Sequence, residues 1–274
     1  MTVVSSEQPN GAASLTRWRA LVLEPFYDLR EAMDAHVVRA ARPYASLALV
    51  LVSGVAAWFV YVPIHELLHA LGCWVTGGTV TELQIAPEYG GTLFAAWLPF
   101  VVSGGAYAGR LSGFDTHGSD LVYLATDALP FLLSVLVGVP WLKICARLRW
   151  PVVLGPAFVL AMAPFYCVTG DYYEMGSILA TRALTMLRGG DALAYGAVRS
   201  DDLFRLAGEF SSGAAPLIAA RGETRSVAVV LIVISFLVGT VLALLTYRLG
   251  VWVARTAQRA SGEGTRRTDA GRSS

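Results

Sequence analysis

Four mainly apolar runs, separated by short polar stretches, set the pattern of this chain. They occupy residues 44–74, 121–142, 151–170 and 226–249. Each is close to or longer than the roughly 18–20 residues that a helix needs to cross a bilayer. A further run, 92–109, contains a proline and paired glycines, and it either crosses or returns to the side from which it entered. The pattern predicts an all-α polytopic membrane protein with four to six transmembrane helices.

The apolar runs divide the chain into regions of different character. These are an N-terminal cytoplasmic or interfacial arm (1–43), a membrane core (44–187), a polar loop (188–225), a C-terminal transmembrane helix (226–249) and a disordered tail (250–274). The helical spacing of apolar positions in the arm predicts an amphipathic helix pair on the membrane surface, broken near Pro25. Pro63 lies inside the first run and is expected to kink or restart its helix.

A turn-rich stretch with glycine pairs at both ends follows the first apolar run, over residues 77–91. Within it, residues 80–85 alternate between apolar and polar side chains, as a half-buried strand does. The next residues, 92–97, are apolar enough to pair with that strand. We therefore expect a small hairpin-like β loop directly after the first transmembrane helix.

Composition supports a membrane location and excludes several classes of protein. Of 274 residues, 55% are hydrophobic and 15% are charged, with a mean hydropathy of +0.56, whereas soluble domains carry about 25% charged residues. The net charge of +1 gives no basis for nucleic-acid binding. The three cysteines form no CxxC pair, so a disulfide framework is not expected.

The basic residues and the N-terminus bear on where the protein resides. Lys143 is the one lysine among 21 basic residues, and such a bias toward arginine is typical of a GC-rich genome. Residues 1–13 lack the apolar run of a cleavable signal peptide, so the first span also serves for targeting. We expect a multi-pass protein in the cell membrane of a bacterium, with the lipid bilayer as its surroundings.

The most informative motif is His65-Glu66-Leu-Leu-His69, in the first apolar run. Histidines at i and i+4 lie on one face of a helix and can bind one zinc ion together. Glu66 can then act as the general base that takes a proton from a metal-bound water. The alternative is a structural pair of buried histidines, with Glu66 hydrogen-bonded between helices. Ionisable residues at membrane depth are costly and usually functional, which favours the zinc site.

A catalytic zinc ion usually has three protein ligands, so a further ligand must come from elsewhere in the chain. Asp171 is the strongest candidate, because Gly170 before it and a semi-polar stretch after it indicate a helix break at membrane depth. Glu174 and Asp127 are the alternatives. Asp171 could instead cap the following helix, and Asp127 could orient a ligand histidine or line a polar cavity.

The remaining histidines and the nearby cysteine are weaker candidates. His36 lies in the N-terminal arm and His117 in a glycine-rich loop, and both are expected to be ordinary surface residues. Cys73 follows His69 by one helical turn, but one helix supplies three convergent ligands poorly. We interpret Cys73 as a packing residue.

On these residues the chain resembles the site-2-type intramembrane zinc metalloproteases, as a divergent member. That family carries HExxH on one membrane helix and an aspartate, in a Leu-Asp-Gly context, on a later one. His65 and His69 match its paired ligands, Glu66 its general base and Asp171 its third ligand. The neighbours of the aspartate are Gly170 and a tyrosine here, which departs from the family pattern.

The resemblance covers about residues 45–185 and implies a zinc metalloendopeptidase with one Zn²⁺ per chain. Its expected activity is hydrolysis of a peptide bond in or near a transmembrane segment of a membrane protein substrate. An alternative is a membrane-embedded processing metallopeptidase that acts on exposed peptides. A non-catalytic scaffold, or a transporter that uses Asp127, is the alternative outside enzymes.

Overall fold

The computed structural model describes residues 10–148, 150–188, 198–211 and 225–270. Within these residues the chain is mostly helical, with one small sheet. Four helical stretches are long and apolar enough to cross a membrane: Pro43–Val75, Asp120–Cys145, Pro151–Arg188 and Val227–Ala260. The four predicted runs therefore correspond to the four candidate spans of a multi-pass protein.

The N-terminal part of the chain forms two long helices, α1 (Asn10–Met33) and α2 (Pro43–Val75), with a π-helical turn, Asp34–Val38, between them. The break expected near Pro25 is absent, because α1 runs through it. Helix α2 likewise continues through Pro63 without restarting. A proline removes one helical hydrogen bond, and packing within a helical bundle tolerates that loss.

A three-stranded sheet follows α2, in the order β2-β1-β3. Strand β1 (Thr79–Ile85) pairs parallel with β2 (Val101–Ser103) and antiparallel with β3 (Gly109–Asp115). The expected strand over residues 92–97 is instead part of a helix, α3 (Gly91–Trp97). The predicted hairpin is therefore wrong in its partner, although β1 itself is where the alternation placed it.

The close approach of Gly91 to β1 explains why a helix forms there. A Cβ atom on Gly91 would lie 2.0 Å from the carbonyl oxygen of Ile85, so only glycine fits at this start of α3. Phe94 and Ala95 then pack against the buried cluster of Leu83, Ile85 and Val101. Because α3 has seven residues and β2 follows it, the run 92–109 does not span.

The second candidate span is assembled from short pieces. It begins with α4 (Asp120–Ala128) and ends in α5 (Val139–Cys145). Between them lie a 3₁₀ turn, Leu129–Phe131, and a π-helical turn, Ser134–Gly138. Pro130 lies in the first of these turns, as a proline in a broken helix does.

The third and fourth candidate spans complete the bundle. Helix α6 (Leu154–Tyr166) ends in a turn, after which α7 (Asp171–Arg188) begins. A short helix, α8 (Leu203–Ser211), lies within the predicted polar loop, much of which is outside the described residues. The last helix, α9 (Arg225–Ala270), continues where a disordered tail was expected from residue 250. Val251 and Ala254 are buried, so packing extends the helix beyond the predicted end.

Small residues allow the transmembrane helices to approach closely. A Cβ atom on Gly155 of α6 would lie 2.3 Å from the backbone nitrogen of Gly54 of α2. On Gly239 of α9 it would lie 2.3 Å from the carbonyl oxygen of Tyr172 of α7. Such contacts between backbones are typical of helix packing in membranes, where apolar burial alone does not favour association.

Helix α1 is bound to the end of α5 and to the middle of α9 by ionic contacts and hydrogen bonds. Lys143 Nζ lies 3.0 Å from Glu24 Oε1 and 2.7 Å from Asp28 Oδ1. Tyr247 donates a hydrogen bond of 2.7 Å to Asp28, and Arg248 pairs with Glu24. The N-terminal arm is therefore packed on the end of the bundle opposite the sheet.

Candidate metal centre

The two histidines of the HExxH motif lie on one buried face of α2. His65 is 6% and His69 7% exposed, and their Nε2 atoms are 3.1 Å apart. The helical spacing of four residues places the rings one above the other, as the sequence predicted.

Asp171 reaches the histidines from the beginning of α7. The turn before it is closed by a hydrogen bond of 3.1 Å from Gly170 N to Cys167 O, so α7 starts at the depth of the histidines. Asp171 Oδ2 lies 3.1 Å from His65 Nε2, and Oδ1 lies 3.7 Å from His69 Nε2. The structure therefore brings the predicted third residue together with the pair.

Hydrogen bonds on the far side of each ring orient the two histidines. His69 Nδ1 donates to the carbonyl oxygen of Thr126 at 2.9 Å, which leaves the lone pair on Nε2 facing Asp171. His65 Nδ1 shares a hydrogen bond of 2.7 Å with the Tyr61 hydroxyl. Partners of this kind fix the tautomer of histidines that bind metals.

The spacing and chemistry of these groups fit a metal ion. Ligand atoms on a tetrahedral zinc ion, with bonds of about 2.0–2.1 Å, lie about 3.3 Å apart. The separations of 3.1 and 3.7 Å among His65, His69 and Asp171 bracket that value. Two imidazoles and a carboxylate form a donor set that suits zinc.

Cys167 is a functional candidate that the sequence reasoning did not select. Ligand atoms of His65, Cys167 and Asp171 all lie within 4.8 Å of one another, so this group could also hold a metal ion. Cys167 precedes Asp171 by four residues, which is the spacing of one helical turn. That spacing is visible in the sequence, but it indicates a shared site only once the turn that joins α6 to α7 is known.

Glu66 faces a polar cavity of about 310 Å³ that His69 and Asp171 also line. It is held against the start of β3, because a Cβ atom on Gly109 would lie 2.3 Å from Glu66 Cγ. Glycine at this position therefore leaves room for the Glu66 side chain. The motif's acidic residue and two of the candidate ligands thus share one cavity.

Contacts between β3 and the segment before α8 close the side of the cavity near the sheet. Arg110 Nε lies 2.8 Å from Asp201 Oδ2. Tyr107 donates a hydrogen bond of 3.0 Å to Asp202 Oδ2. This wall lies beyond the ends of the candidate spans, so the cavity sits toward the face of the bundle that carries the sheet.

The alternative third ligands line the same cavity but make other contacts. Glu174 is buried and accepts a hydrogen bond from the Tyr123 hydroxyl. Asp127 is buried, and its Oδ2 has no hydrogen-bond partner within the described part of the chain. Among the described contacts of the two histidines, the carboxylate is that of Asp171.

The other histidines and Cys73 lie away from the centre. His36 is buried rather than at the surface, because the π-helical turn packs its Nε2 2.7 Å from the carbonyl oxygen of Cys145. His117 lies in an exposed turn, with Nδ1 3.2 Å from Asp115. Cys73 is buried beside β1.

Comparisons of this chain with protein-family models, with curated proteins and with solved structures find no match.

Proposed function

We propose that this protein is an intramembrane zinc metalloprotease that hydrolyses a peptide bond in or near a transmembrane segment of a membrane protein substrate. The observation that carries the proposal is the convergence of His65, His69 and Asp171 beside a cavity that Glu66 shares. The resemblance of the motif residues to site-2-type proteases supports the same conclusion.

In this proposal His65, His69 and Asp171 hold one zinc ion. When bound, zinc supplies a Lewis acid that polarises a carbonyl group and makes water more acidic. The carbonyl oxygen of Thr126 keeps the His69 imidazole in the tautomer that presents Nε2, and the Tyr61 hydroxyl would do the same for His65 by accepting from Nδ1. The protein thus provides a rigid donor set on two helices.

Glu66 is proposed as the general base and acid. It takes a proton from the attacking water and returns one to the leaving amine of the substrate. Its contact with Gly109 holds the side chain in the cavity. A base held in place next to the bond to be cut needs no reorganisation during the reaction.

The polar cavity meets the main requirement for hydrolysis at membrane depth, which is access of water. Its walls include charged and hydroxyl-bearing side chains from α4, α7 and β3. Non-helical backbone and polar groups at this depth are stable where they line a water-filled space. A peptide bond that enters this cavity meets water and Glu66 together.

The first experiment is metal analysis of the detergent-purified protein. We expect about one zinc per chain in the wild type, in Glu66→Gln and in the control His117→Ala, whose histidine lies outside the cavity. His65→Ala and Asp171→Ala should lose the metal. If His65→Ala loses zinc but Asp171→Ala retains it, the third ligand is Cys167, Glu174 or Asp127.

The second experiment concerns the reaction. Glu66→Gln should keep the metal but abolish cleavage, and it should retain uncut substrate when membranes are solubilised and the variant is captured. A wild-type protein that binds no metal after zinc is added back would overturn the proposed function.

A further inference from the structure

Two acidic side chains in the cavity have no part in the proposed metal set or in proton transfer. Asp127 of α4 is 4% exposed and Glu174 of α7 is 7% exposed, and both line the cavity with Glu66 and Asp171. Asp127 Oδ2 has no hydrogen-bond partner among the described residues. The Tyr123 hydroxyl, one turn before Asp127, donates to Glu174.

The arginines of the same cavity are paired with other carboxylates. Arg110 lies 2.8 Å from Asp201. Arg199 Nη1 lies 2.6 Å from Asp120 Oδ1, with a second contact of 3.3 Å between Nη2 and Oδ2. Arg205 pairs with a glutamate of its own helix. Within the described ranges, then, neither Asp127 nor Glu174 has a cationic partner at ion-pair distance.

A buried carboxylate at membrane depth is costly unless a positive group or a proton neutralises it. We propose that Asp127 and Glu174 form an anionic subsite that accepts the ammonium or guanidinium group of a lysine or arginine side chain of the substrate. This inference rests on the proposed function, because it names the class of substrate that the same cavity admits.

The position of the subsite indicates where the basic residue lies in the substrate. Glu174 is three residues after Asp171, and at 1.5 Å per residue the two are separated by about 4.5 Å along α7. Asp127 follows Thr126, whose carbonyl oxygen holds His69. An extended peptide advances about 3.3–3.6 Å per residue, so the basic side chain belongs within about two positions of the bond that is cut.

A basic residue at that position also agrees with the depth of the cavity. The cavity lies toward the sheet, at one end of the candidate spans. Lysine and arginine are enriched beside transmembrane segments, where they flank the apolar stretch. The substrate bond is therefore expected near the end of a transmembrane segment rather than at its centre.

A second metal ion is a less suitable occupant. Within the described residues, the side chains that cluster closely enough for a metal are His65, Cys167 and Asp171, with His69 Nε2 lying 3.1 Å from His65 Nε2. Asp127 and Glu174 do not belong to that cluster. A single ammonium or guanidinium group needs no such set of convergent ligands.

The test uses the full chain carrying Glu66→Gln, in lipid nanodiscs, and measures equilibrium binding of fluorescent peptides. Each peptide has one apolar segment and carries lysine, acetyl-lysine, norleucine or glutamate at a single position beside it. Acetyl-lysine and norleucine remove the charge while keeping a long side chain. We expect the lysine peptide to bind about tenfold more tightly than either neutral peptide, the ratio that about 1.4 kcal/mol gives.

The ratio of affinities for the lysine and neutral peptides should fall to about one in the double variants Glu66→Gln/Asp127→Asn and Glu66→Gln/Glu174→Gln, because each removes a carboxylate that the ammonium group would pair with. The control Glu66→Gln/Asp115→Asn removes an exposed carboxylate outside the cavity and should keep the preference. Equal binding of lysine and neutral peptides to Glu66→Gln itself would overturn the inference, and that result does not depend on whether the double variants fold.

Two further outcomes separate this inference from the proposed function. A second equivalent of metal that is lost in Asp127→Asn would assign the acidic pair to a metal ion and overturn the subsite. Failure of the wild-type protein to cleave any of the peptides that Glu66→Gln binds would contradict the protease proposal. In that case a preference for lysine that depends on Asp127 and Glu174 would still support the cationic subsite.

Discussion

At the scale of single residues, the candidate metal centre depends on hydrogen bonds to the Nδ1 atoms of its two histidines, which orient the rings. The carbonyl oxygen of Thr126 accepts the Nδ1 hydrogen of His69, and Tyr61 shares a hydrogen bond with His65. These bonds leave both Nε2 atoms directed at Asp171. The candidate donors are thus held in one arrangement, which would lower the conformational cost of binding a metal ion.

Cys167 permits a test of which residues make up the ligand set. If the ligands are His65, His69 and Asp171, Cys167→Ala should retain about one metal per chain, since three protein ligands suffice for a catalytic site. The cobalt-substituted wild type should then lack the near-ultraviolet charge-transfer band of a cobalt–thiolate bond. A strong band that disappears in Cys167→Ala would instead place the thiolate on the metal.

Gly109 permits a separate test of the role of Glu66. In Gly109→Ala the new methyl group would lie 2.3 Å from Glu66 Cγ, so the carboxylate must move. We expect cleavage to fall by about a hundredfold, the cost of a misplacement of about 1 Å in a catalytic group. Metal content should stay at the wild-type level, and its loss would show that the substitution disturbs the ligands instead. Asp115→Ala, on the same strand but outside the cavity, is the matched control.

At the scale of elements, the contact between α1 and the bundle is the clearest electrostatic feature outside the site. Burial raises the pKa of Glu24. The hydrogen bond and charge of Lys143, together with the charges of Arg248 and Arg255, lower it by more, so the pKa is below its ordinary value of 4.5. Because the folded pKa is the lower one, this group stabilises the docked helix above its ordinary pKa. That contribution disappears as pH falls through the folded pKa.

Glu24→Gln should therefore loosen α1 at neutral pH. Hydrogen bonds to charged groups contribute about 1.5–3 kcal/mol, and loss of that amount should speed hydrogen exchange in α1 by about tenfold or more. The difference between wild type and variant should shrink as the pH falls below about 4. Exchange measured by mass spectrometry at both pH values checks this, with Glu31→Gln on the same helix as the control. A difference that is independent of pH would contradict the ionic explanation.

At the scale of the whole molecule, the four candidate spans place α1 and the part of α9 that follows Arg248 on one face of the bundle. Helix α1, Lys143 and Arg248 meet at that face. The sheet and the segment 198–211 lie at the other face, next to the cavity. The structure thus separates the face that binds the N-terminal arm from the face that carries the cavity.

This arrangement predicts the outcome of labelling from the two sides of the membrane. In a background with the native cysteines replaced by alanine, Ser112→Cys and Thr256→Cys introduce thiols at exposed positions on opposite faces. A membrane-impermeant maleimide should label one of them in intact cells and the other in inverted vesicles. Labelling of both from the same side would contradict the four-span arrangement.

Features that depend on local pattern could be predicted from the amino-acid sequence. The apolar runs corresponded to the four candidate spans, because a helix in a bilayer must be apolar over its whole length. The spacing of His65 and His69 placed both rings on one face of α2, and the alternation over residues 80–85 located β1. Each of these features is set within a few residues, so a single segment carries enough information to predict it.

The contacts between residues that are distant in the sequence could not be predicted and emerged from the packing of the whole chain. Asp171 lies 106 positions from His65, and the partners of β1 are β2 and β3 rather than the residues that fold as α3. The burial of His36, the continuation of α9 and the proximity of Cys167 to the centre also depend on contacts between segments. Such contacts reflect how several helices pack together, and the free energy of that packing is not contained in the pattern of any one segment.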